Sequence, residues 1–304
     1  MADLQRLLRE MGKVAIAFSG GVDSAFLLAA ARDTLGQENT LAITAVSPVY
    51  AEREIAFATQ FAQELGVQHL KVPTRELTDE RFATNRPDRC FLCKTEMFSS
   101  LGPLAAQHGF PTLADGTNAS DLGDYRPGLK AREAHSVRSP LQEAGLSKPE
   151  IRLLSRQRGL PTWDKPAMAC LASRFPYGLA ITEPALRRIE QAEEFLFGLG
   201  LRQVRVRHHD TVARIEVEAE EMGRLVERAP EVVKHLKSLG YQYVTMDLQG
   251  YRTGSMNEAL VARASARPGP QTREAASRPV SAPPTEVGGI MPPPSGGGHP
   301  GIKG

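Results

Sequence analysis

The stretch Val14-Ala15-Ile16-Ala17-Phe18-Ser19-Gly20-Gly21-Val22-Asp23-Ser24 decides how this chain is read. Its first five residues form a continuous apolar run, the pattern of a buried strand. Beyond Ser24 come Ala25-Phe26-Leu27-Leu28-Ala29-Ala30-Ala31, rich in helix formers. Ser19 to Ser24 therefore form a glycine loop between a strand and a helix N-terminus. Backbone N–H groups and the positive end of the helix dipole converge there, which suits a phosphate anion. Gly20 and Gly21 tolerate positive φ and let the backbone approach a ligand. Ser19 and Ser24 add hydroxyl donors. Asp23 is a poor phosphate ligand by itself, so it either caps the helix or holds a divalent metal. The loop lacks the Lys of GxxxxGK[ST] and is not a Walker A loop. A bare strand-to-helix turn is the plainer reading of two glycines. The full SGGVDS at the first strand of an α/β chain favours the anion site.

The chain around this loop is ordinary in bulk. Its 304 residues suffice for one large or two modest domains. A hydrophobic content of 41% with 24% charged residues is that of a soluble globular protein. A net charge of +2 is too small to argue for nucleic-acid binding. No apolar run is long enough for a membrane span. The first ten residues carry acids and lack a long apolar core, so no signal peptide is expected. Three cysteines without an export signal argue for a cytoplasmic, reducing setting, and for metal or redox use over a disulfide scaffold.

Strand and helix patterns alternate through the first half. Residues 3–11 read as an amphipathic helix. Thr40 to Ser47 and His69 to Pro73 read as strands, separated by a helix over Glu52 to Leu65. Thr112-Leu113-Ala114 is a fourth strand. This spacing predicts βαβ units and a parallel sheet, with ligands beyond the carboxyl ends of its strands. Ser47 falls on that edge, where it either contacts adenine or ribose or caps the strand. The polar loop Asp115 to Asp121, with Gly116, Thr117 and Asp121, falls there too. Asp124 to Arg132, with Arg126, places cations near the expected phosphates or is a solvated charge run.

Cys90-Phe91-Leu92-Cys93 has the spacing of a shared metal site or a redox pair, ahead of a helix expected over Thr95 to His108. Prolines make Leu160 to Pro176 a rigid loop, which delivers Cys170, Ser173 and Arg174. A guanidinium beside Cys170 would favour its thiolate. Val204 to His209 alternates, so Arg205 and Arg207 share one strand face and can grip a phosphate. His208 and His209 point to opposite faces, which argues against a shared metal. Ala213 to Val217 completes a hairpin, Glu221 to Leu239 reads as helical, and Tyr241 to Leu248 as a last strand. After Ala264, proline, glycine and serine dominate and periodicity vanishes. The expected organisation is an α/β domain over 1–178, a small α+β domain over 179–262 and a disordered tail over 263–304.

The loop SGGVDS resembles that of the PP-loop ATP pyrophosphatase superfamily, whose members cleave ATP between the α and β phosphates. Further motifs narrow the resemblance: DGTNASDLGDYRPG at 115–128, ACLASRFPYG at 169–178, RVRHH at 205–209 and GYRTGSMNE at 250–258. With these the chain resembles the LarE family of ATP-dependent sulfur transferases over roughly residues 4–258. The resemblance implies a PP-loop fold and Mg²⁺-dependent adenylylation of the carboxylates of pyridinium-3,5-biscarboxylic acid mononucleotide. Sulfur then displaces AMP, on the way to a nickel-pincer nucleotide cofactor. It further implies that Ser19, Gly20, Gly21, Asp23 and Ser24 hold ATP phosphates and Mg²⁺, with Ser47, Gly116, Thr117, Asp121 and Arg126 on the nucleotide side. Ser173, Arg174, Arg205 and Arg207 would bind the substrate phosphate or carboxylates. One branch of that family sacrifices a single cysteine, at the position of Cys170. Another holds a [4Fe-4S] cluster with three, the pattern of Cys90, Cys93 and Cys170 here, with Cys170 central to catalysis. A small-molecule substrate, a sulfide donor and homo-oligomerisation follow from the same resemblance. A tRNA thiolase shares the loop and cysteines, but would need a basic groove.

Overall fold

The computed structural model describes residues 1–123 and 128–252. Arg126, the end of the GYRTGSMNE motif and the tail expected over 263–304 lie outside the described residues.

The first half alternates as its sequence requires. Helix α1 (Ala2–Met11) leads into β1 (Val14–Ala17), the glycine loop and α2 (Val22–Leu35). β2 (Thr40–Val46), α3 (Glu52–Glu64) and β3 (Gln68–Pro73) follow. A short α4 (Glu80–Ala83) precedes the long α5 (Arg89–Gln107) and β4 (Thr112–Ala114). The four strands are parallel, in the order β3-β2-β1-β4, with Val14 of β1 in register with Thr40 on one side and Thr112 on the other. The chain thus builds outward from β1 to β3, then crosses back to lay β4 on the far side of β1. Strand order reverses at β1, and the crevice at such a switch point is where open α/β sheets bind ligands.

The apolar run of β1 is buried on both faces because helices cover both. Val14 and Ile16 join Leu4, Leu8 and the apolar residues of α2 on one side. Ala15, on the other, joins Leu41, Ile43, Phe98, Leu101 and Ala105. This alternation follows the two-residue period of a strand.

After β4 come α6 (Gly128–Ala134), α7 (Pro140–Glu143) and α8 (Lys148–Gln157). Ser147 and Glu150 close a capping box on α8, as the sequence Ser-Lys-Pro-Glu leads one to expect. The proline-rich segment beyond α8 is a loop ending in a single 3₁₀ turn, Leu171–Arg174. Helix α9 (Glu183–Gly198) then packs on a second sheet. In that sheet β5 (Val204–His209) and β6 (Val212–Val217) form an antiparallel hairpin. After α10 (Met222–Glu227) and α11 (Ala229–Ser238), β7 (Tyr243–Met246) runs parallel to β6. The second sheet has its own core, built from Leu196, Val204, Val206, Ile215, Leu236 and Tyr241. Even so, both sheets belong to one compact unit, Met1–Leu260.

Two elements differ from expectation. The helix expected over Glu221 to Leu239 is broken at Arg228, with Pro230 opening a second segment. Helix α5 begins six residues before Thr95. Arg89 is 1% exposed and bonds the side chain of Asn85, anchoring an extra turn that the local sequence does not signal. Cys90 and Cys93 therefore lie three apart on a helix, on one face, and not in a leading loop.

Candidate functional site

The glycine loop leaves β1 with Gly20 at φ 72, a conformation that glycine adopts without strain. Gly21 is the N-cap of α2. Ser24 Oγ donates to the Gly21 carbonyl at 3.2 Å and lies 3.2 Å from Ser19 Oγ, which closes the loop on itself. Asp23 does not cap the helix, since no side-chain capping bond forms there. Its carboxylate faces a cavity instead, where Oδ2 accepts a bond from Lys148 Nζ and buried Oδ1 has no partner among the described residues. Burial pushes the Asp23 carboxyl up from its ordinary value, Lys148 pulls it down, and nearby Asp121 adds to the upward push. An orphaned oxygen on a carboxylate beside a second carboxylate suits a divalent cation.

That cavity, of about 700 Å³, opens at the carboxyl edge of the parallel sheet. Ser19 and Gly21 to Ser24 form one wall; Gly116, Thr117 and Asp121 form a second. Gly116 is required by close approach: a Cβ there would meet Ser24 N at 2.9 Å. Asp115 accepts bonds from Thr117 in its own loop and from Ser139 at the start of α7, which ties the loop to that helix. Ser47 falls on the same edge of the sheet. It lies just past β2, its hydroxyl accepts the Val49 N–H at 3.4 Å, and it is not among the residues lining the cavity.

The three cysteines line the same cavity as the glycine loop. Cys90 and Cys93 come from the first turn of α5, and Cys170 from the end of the proline-rich loop. Burial pushes both the Cys90 and Cys93 thiols up, and proximity to Cys170 adds to the effect on each, although Cys90 as a residue reaches solvent. Around Cys93, Tyr50 Oη lies 3.5 Å from the sulfur and the thiol donates to Glu76 Oε1 at 3.8 Å. Glu76 is 2% exposed, and neither it nor Tyr50 carries a motif that sequence reasoning could use. Among the described residues, no group of three or more His, Cys, Asp or Glu is arranged to hold a single metal ion.

The arginines expected at the substrate are mostly held by the fold. Arg174 is 1% exposed; Nε and Nη2 donate to Glu193, and Nη1 to the carbonyls of Ala169 and Cys170 and to Ser173 Oγ. Its cation is thus turned to the backbone of Cys170 and to a carboxylate. Arg207 donates twice to Glu216 and once to the Ser173 carbonyl. Both carboxylates escape a local reading: Glu193 comes from α9, and Glu216 from the strand paired with Arg205 and Arg207. Arg205 differs. Nη2 donates to Tyr251 Oη at 2.9 Å, the guanidinium lies over the Tyr251 ring, and buried Nε has no acceptor among the described residues. Burial lowers the Arg205 pKa, and the charges of Arg174 and Arg207 lower it further. Ser173, Arg205 and Arg207 thus gather beside the 3₁₀ turn, outside the residues lining the cavity. His208 is buried against Phe175 and Tyr241, a packing role.

Two lysines meet the glycine loop, and neither carries a local sign in the sequence. Lys148 opens α8 and meets Asp23. Lys165, on the cysteine-bearing loop, donates to the Gly20 carbonyl at 3.1 Å and pairs with Glu54 at 2.8 Å.

A parallel sheet with SGGVDS at its switch point and an open carboxylate beside it defines a protein of the PP-loop class. Comparison with known proteins agrees: residues 4–95 match the family model described as NAD synthase. An NH(3)-dependent NAD(+) synthetase of Chlorobaculum tepidum is 29% identical over 167 residues, 53% of this chain and 58% of that one. Two longer matches are more specific. The pyridinium-3,5-bisthiocarboxylic acid mononucleotide synthase of Lactiplantibacillus plantarum is 39% identical over 259 residues, 85% of this chain and 94% of that enzyme. An uncharacterized protein of Synechocystis sp. is 43% identical over 262 residues, 86% and 97% respectively. The chain belongs to the LarE family, that of the pyridinium-3,5-bisthiocarboxylic acid mononucleotide synthases.

Proposed function

We propose that the protein is an ATP-dependent sulfur transferase acting on pyridinium-3,5-biscarboxylic acid mononucleotide in the synthesis of a nickel-pincer nucleotide cofactor. The observation that carries this reading is a single cavity lined by both the glycine loop and all three cysteines. A carboxylate is a poor electrophile. Attack of its oxygen on the α-phosphorus of ATP expels pyrophosphate and leaves an acyl adenylate. A sulfur nucleophile then attacks the acyl carbon, and AMP departs with the original carboxylate oxygen. Two rounds give the bis-thiocarboxylate.

The chain's own residues supply charge and position. The amides of the glycine loop and the N-terminus of α2 receive the phosphates. Asp23, with its unpartnered oxygen, and Asp121 would hold Mg²⁺, which would neutralise phosphate charge, and Lys148 beside Asp23 meets the leaving pyrophosphate. Thr117 and Gly116 shape the nucleotide wall. Arg205 meets the substrate phosphate, while Arg174 and Arg207 with their carboxylates hold Ser173 and the Cys170 backbone in place.

The donor set supports a [4Fe-4S] cluster held by Cys90, Cys93 and Cys170. The three thiols are soft ligands on one cavity, and Cys170 lies close enough to add to the upward push on the Cys90 and Cys93 thiols. They do not converge on one ion, whereas a cubane distributes its ligands over separate irons. When bound, such a cluster supplies an iron without a protein ligand, on which hydrosulfide can be carried. An external sulfide donor and self-association belong to the same reading.

The test is anaerobic turnover with ATP, Mg²⁺, substrate and sulfide, read by mass spectrometry of substrate and protein. Oxygen-for-sulfur exchange at both carboxylates with Cys170 intact supports the proposal. Exchange with loss of the Cys170 sulfur assigns a sacrificial donor, and absence of AMP and pyrophosphate overturns the reading altogether.

A further inference from the structure

The proline-rich loop that carries Cys170 is tied to the glycine loop by one side chain. Lys165 Nζ donates to the Gly20 carbonyl at 3.1 Å, pairs with Glu54 Oε2 at 2.8 Å and lies 3.8 Å from the centroid of the Phe57 ring. Its side chain is 15% exposed, so the contact is largely out of water. Gly20 is pressed against the same helix, since a Cβ there would meet Phe57 at 3.2 Å and Ala58 at 3.4 Å. Glycine loop, α3 and cysteine loop thus meet at this ammonium.

The consequence lies in one peptide unit. The peptide between Gly20 and Gly21 is trans, so its carbonyl and its N–H point in opposite directions. A peptide between two glycines turns over at little steric cost, and in one orientation it would present its carbonyl to the phosphates. Lys165, which lines the cavity together with Glu54, fixes that carbonyl, and Gly21 lines the cavity while Gly20 does not. The Gly21 N–H has no acceptor among the described residues, and with the carbonyl held it stays available to an anion in the cavity. Five residues on, Cys170 lines the same cavity, and the backbone between is fixed at both ends. Arg152 donates to the carbonyls of Trp163 and Lys165, and Arg174 to those of Ala169 and Cys170.

We infer that Lys165 is a positioning residue that locks the Gly20–Gly21 peptide for phosphate binding and so couples the Cys170 loop to the nucleotide. The inference rests on the glycine loop binding ATP. It adds that the sulfur-delivering loop responds to that binding through one ammonium group.

The experiment measures ATP affinity by calorimetry, and amide hydrogen exchange over 162–170 with and without a non-hydrolysable ATP analogue and Mg²⁺. It uses wild type, Lys165→Met and Lys165→Arg, with circular dichroism checking the fold of each. Methionine keeps the packing on Phe57 and removes only the charge and the donor. In wild type the analogue slows exchange in the loop. Lys165→Met weakens ATP binding by about tenfold, the loss of a charge-assisted hydrogen bond. At saturating analogue its loop exchange no longer responds, and Lys165→Arg restores both properties. A Lys165→Met protein with wild-type affinity and wild-type loop protection overturns the inference while leaving the ATP reading intact. A wild-type protein that binds no ATP overturns both.

Discussion

Two sets of cations surround the chemistry-bearing loops, and they are built on opposite plans. In one, Arg174 and Arg207 are buried and each meets a carboxylate with two parallel bonds. In the other, Lys148 makes a single contact to Asp23 that a metal can replace, and Lys165 makes a single bond to the Gly20 carbonyl while Glu54 holds it in place. A guanidinium matched to a buried carboxylate cannot be lent to a ligand without leaving that carboxylate uncompensated. A flexible ammonium at a cavity wall can. Cations at a motif are therefore sorted into frame and site by the partners that the fold brings to them.

Breaking the frame should cost most. Arg174→Met leaves Glu193 buried and unpaired, and should lower folding stability by about 3–5 kcal/mol in urea titrations. Arg174→Met combined with Glu193→Leu should recover most of it; no recovery would mean that Arg174 contributes through the Cys170 carbonyls instead. Next in size is the open carboxylate. Asp23→Asn should reduce pyrophosphate release by roughly 10²–10³-fold through lost electrostatic stabilisation, with an unchanged melting temperature. Lys148→Met should act more gently, weakening pyrophosphate binding by about tenfold without destabilising the fold. A large loss of stability there would move Lys148 from the site to the frame.

The smallest effect concerns the same ion pairing near the surface. Hydrogen bonding to Arg138 holds the Glu143 carboxyl below its ordinary value. A depressed carboxylate stabilises the fold above its unfolded pKa, and that contribution fades as pH falls through the folded value. Glu143→Gln should thus differ from wild type by at most about 1 kcal/mol at neutral pH, since the pair is partly exposed. The gap should close as pH falls from the ordinary carboxylate range downward. A gap that persists in acid would show the difference to be packing, not charge.

Much of the fold could be read locally, because β1 and β2 are largely apolar runs and SGGVDS punctuates the first. The capping box of α8 is likewise a four-residue signal. The start of α5 was not legible, since its extra turn depends on burying Arg89 against Asn85. Arg174, Arg205 and Arg207 stood out in the sequence, but Glu193 and Glu216 did not show as the partners of Arg174 and Arg207. Pairing across a strand register or between helix and turn leaves no mark in neighbouring residues. Lys148 and Lys165 escaped for the same reason, lying 125 and 145 positions from the loop residues they contact.

Cys90 and Cys93 ride on a 19-residue helix whose Phe98, Leu101 and Ala105 are embedded under the sheet, whereas Cys170 ends a loop held by arginine-to-carbonyl bonds. The pair and the single cysteine therefore have independent supports. In evolutionary terms the pair is detachable. Both positions sit near the start of a helix anchored further along, so drift could erase them while the nucleotide machinery and Cys170 stayed in place. One scaffold can in this way host lineages that differ in how sulfur is supplied, with no change to how the carboxylate is activated.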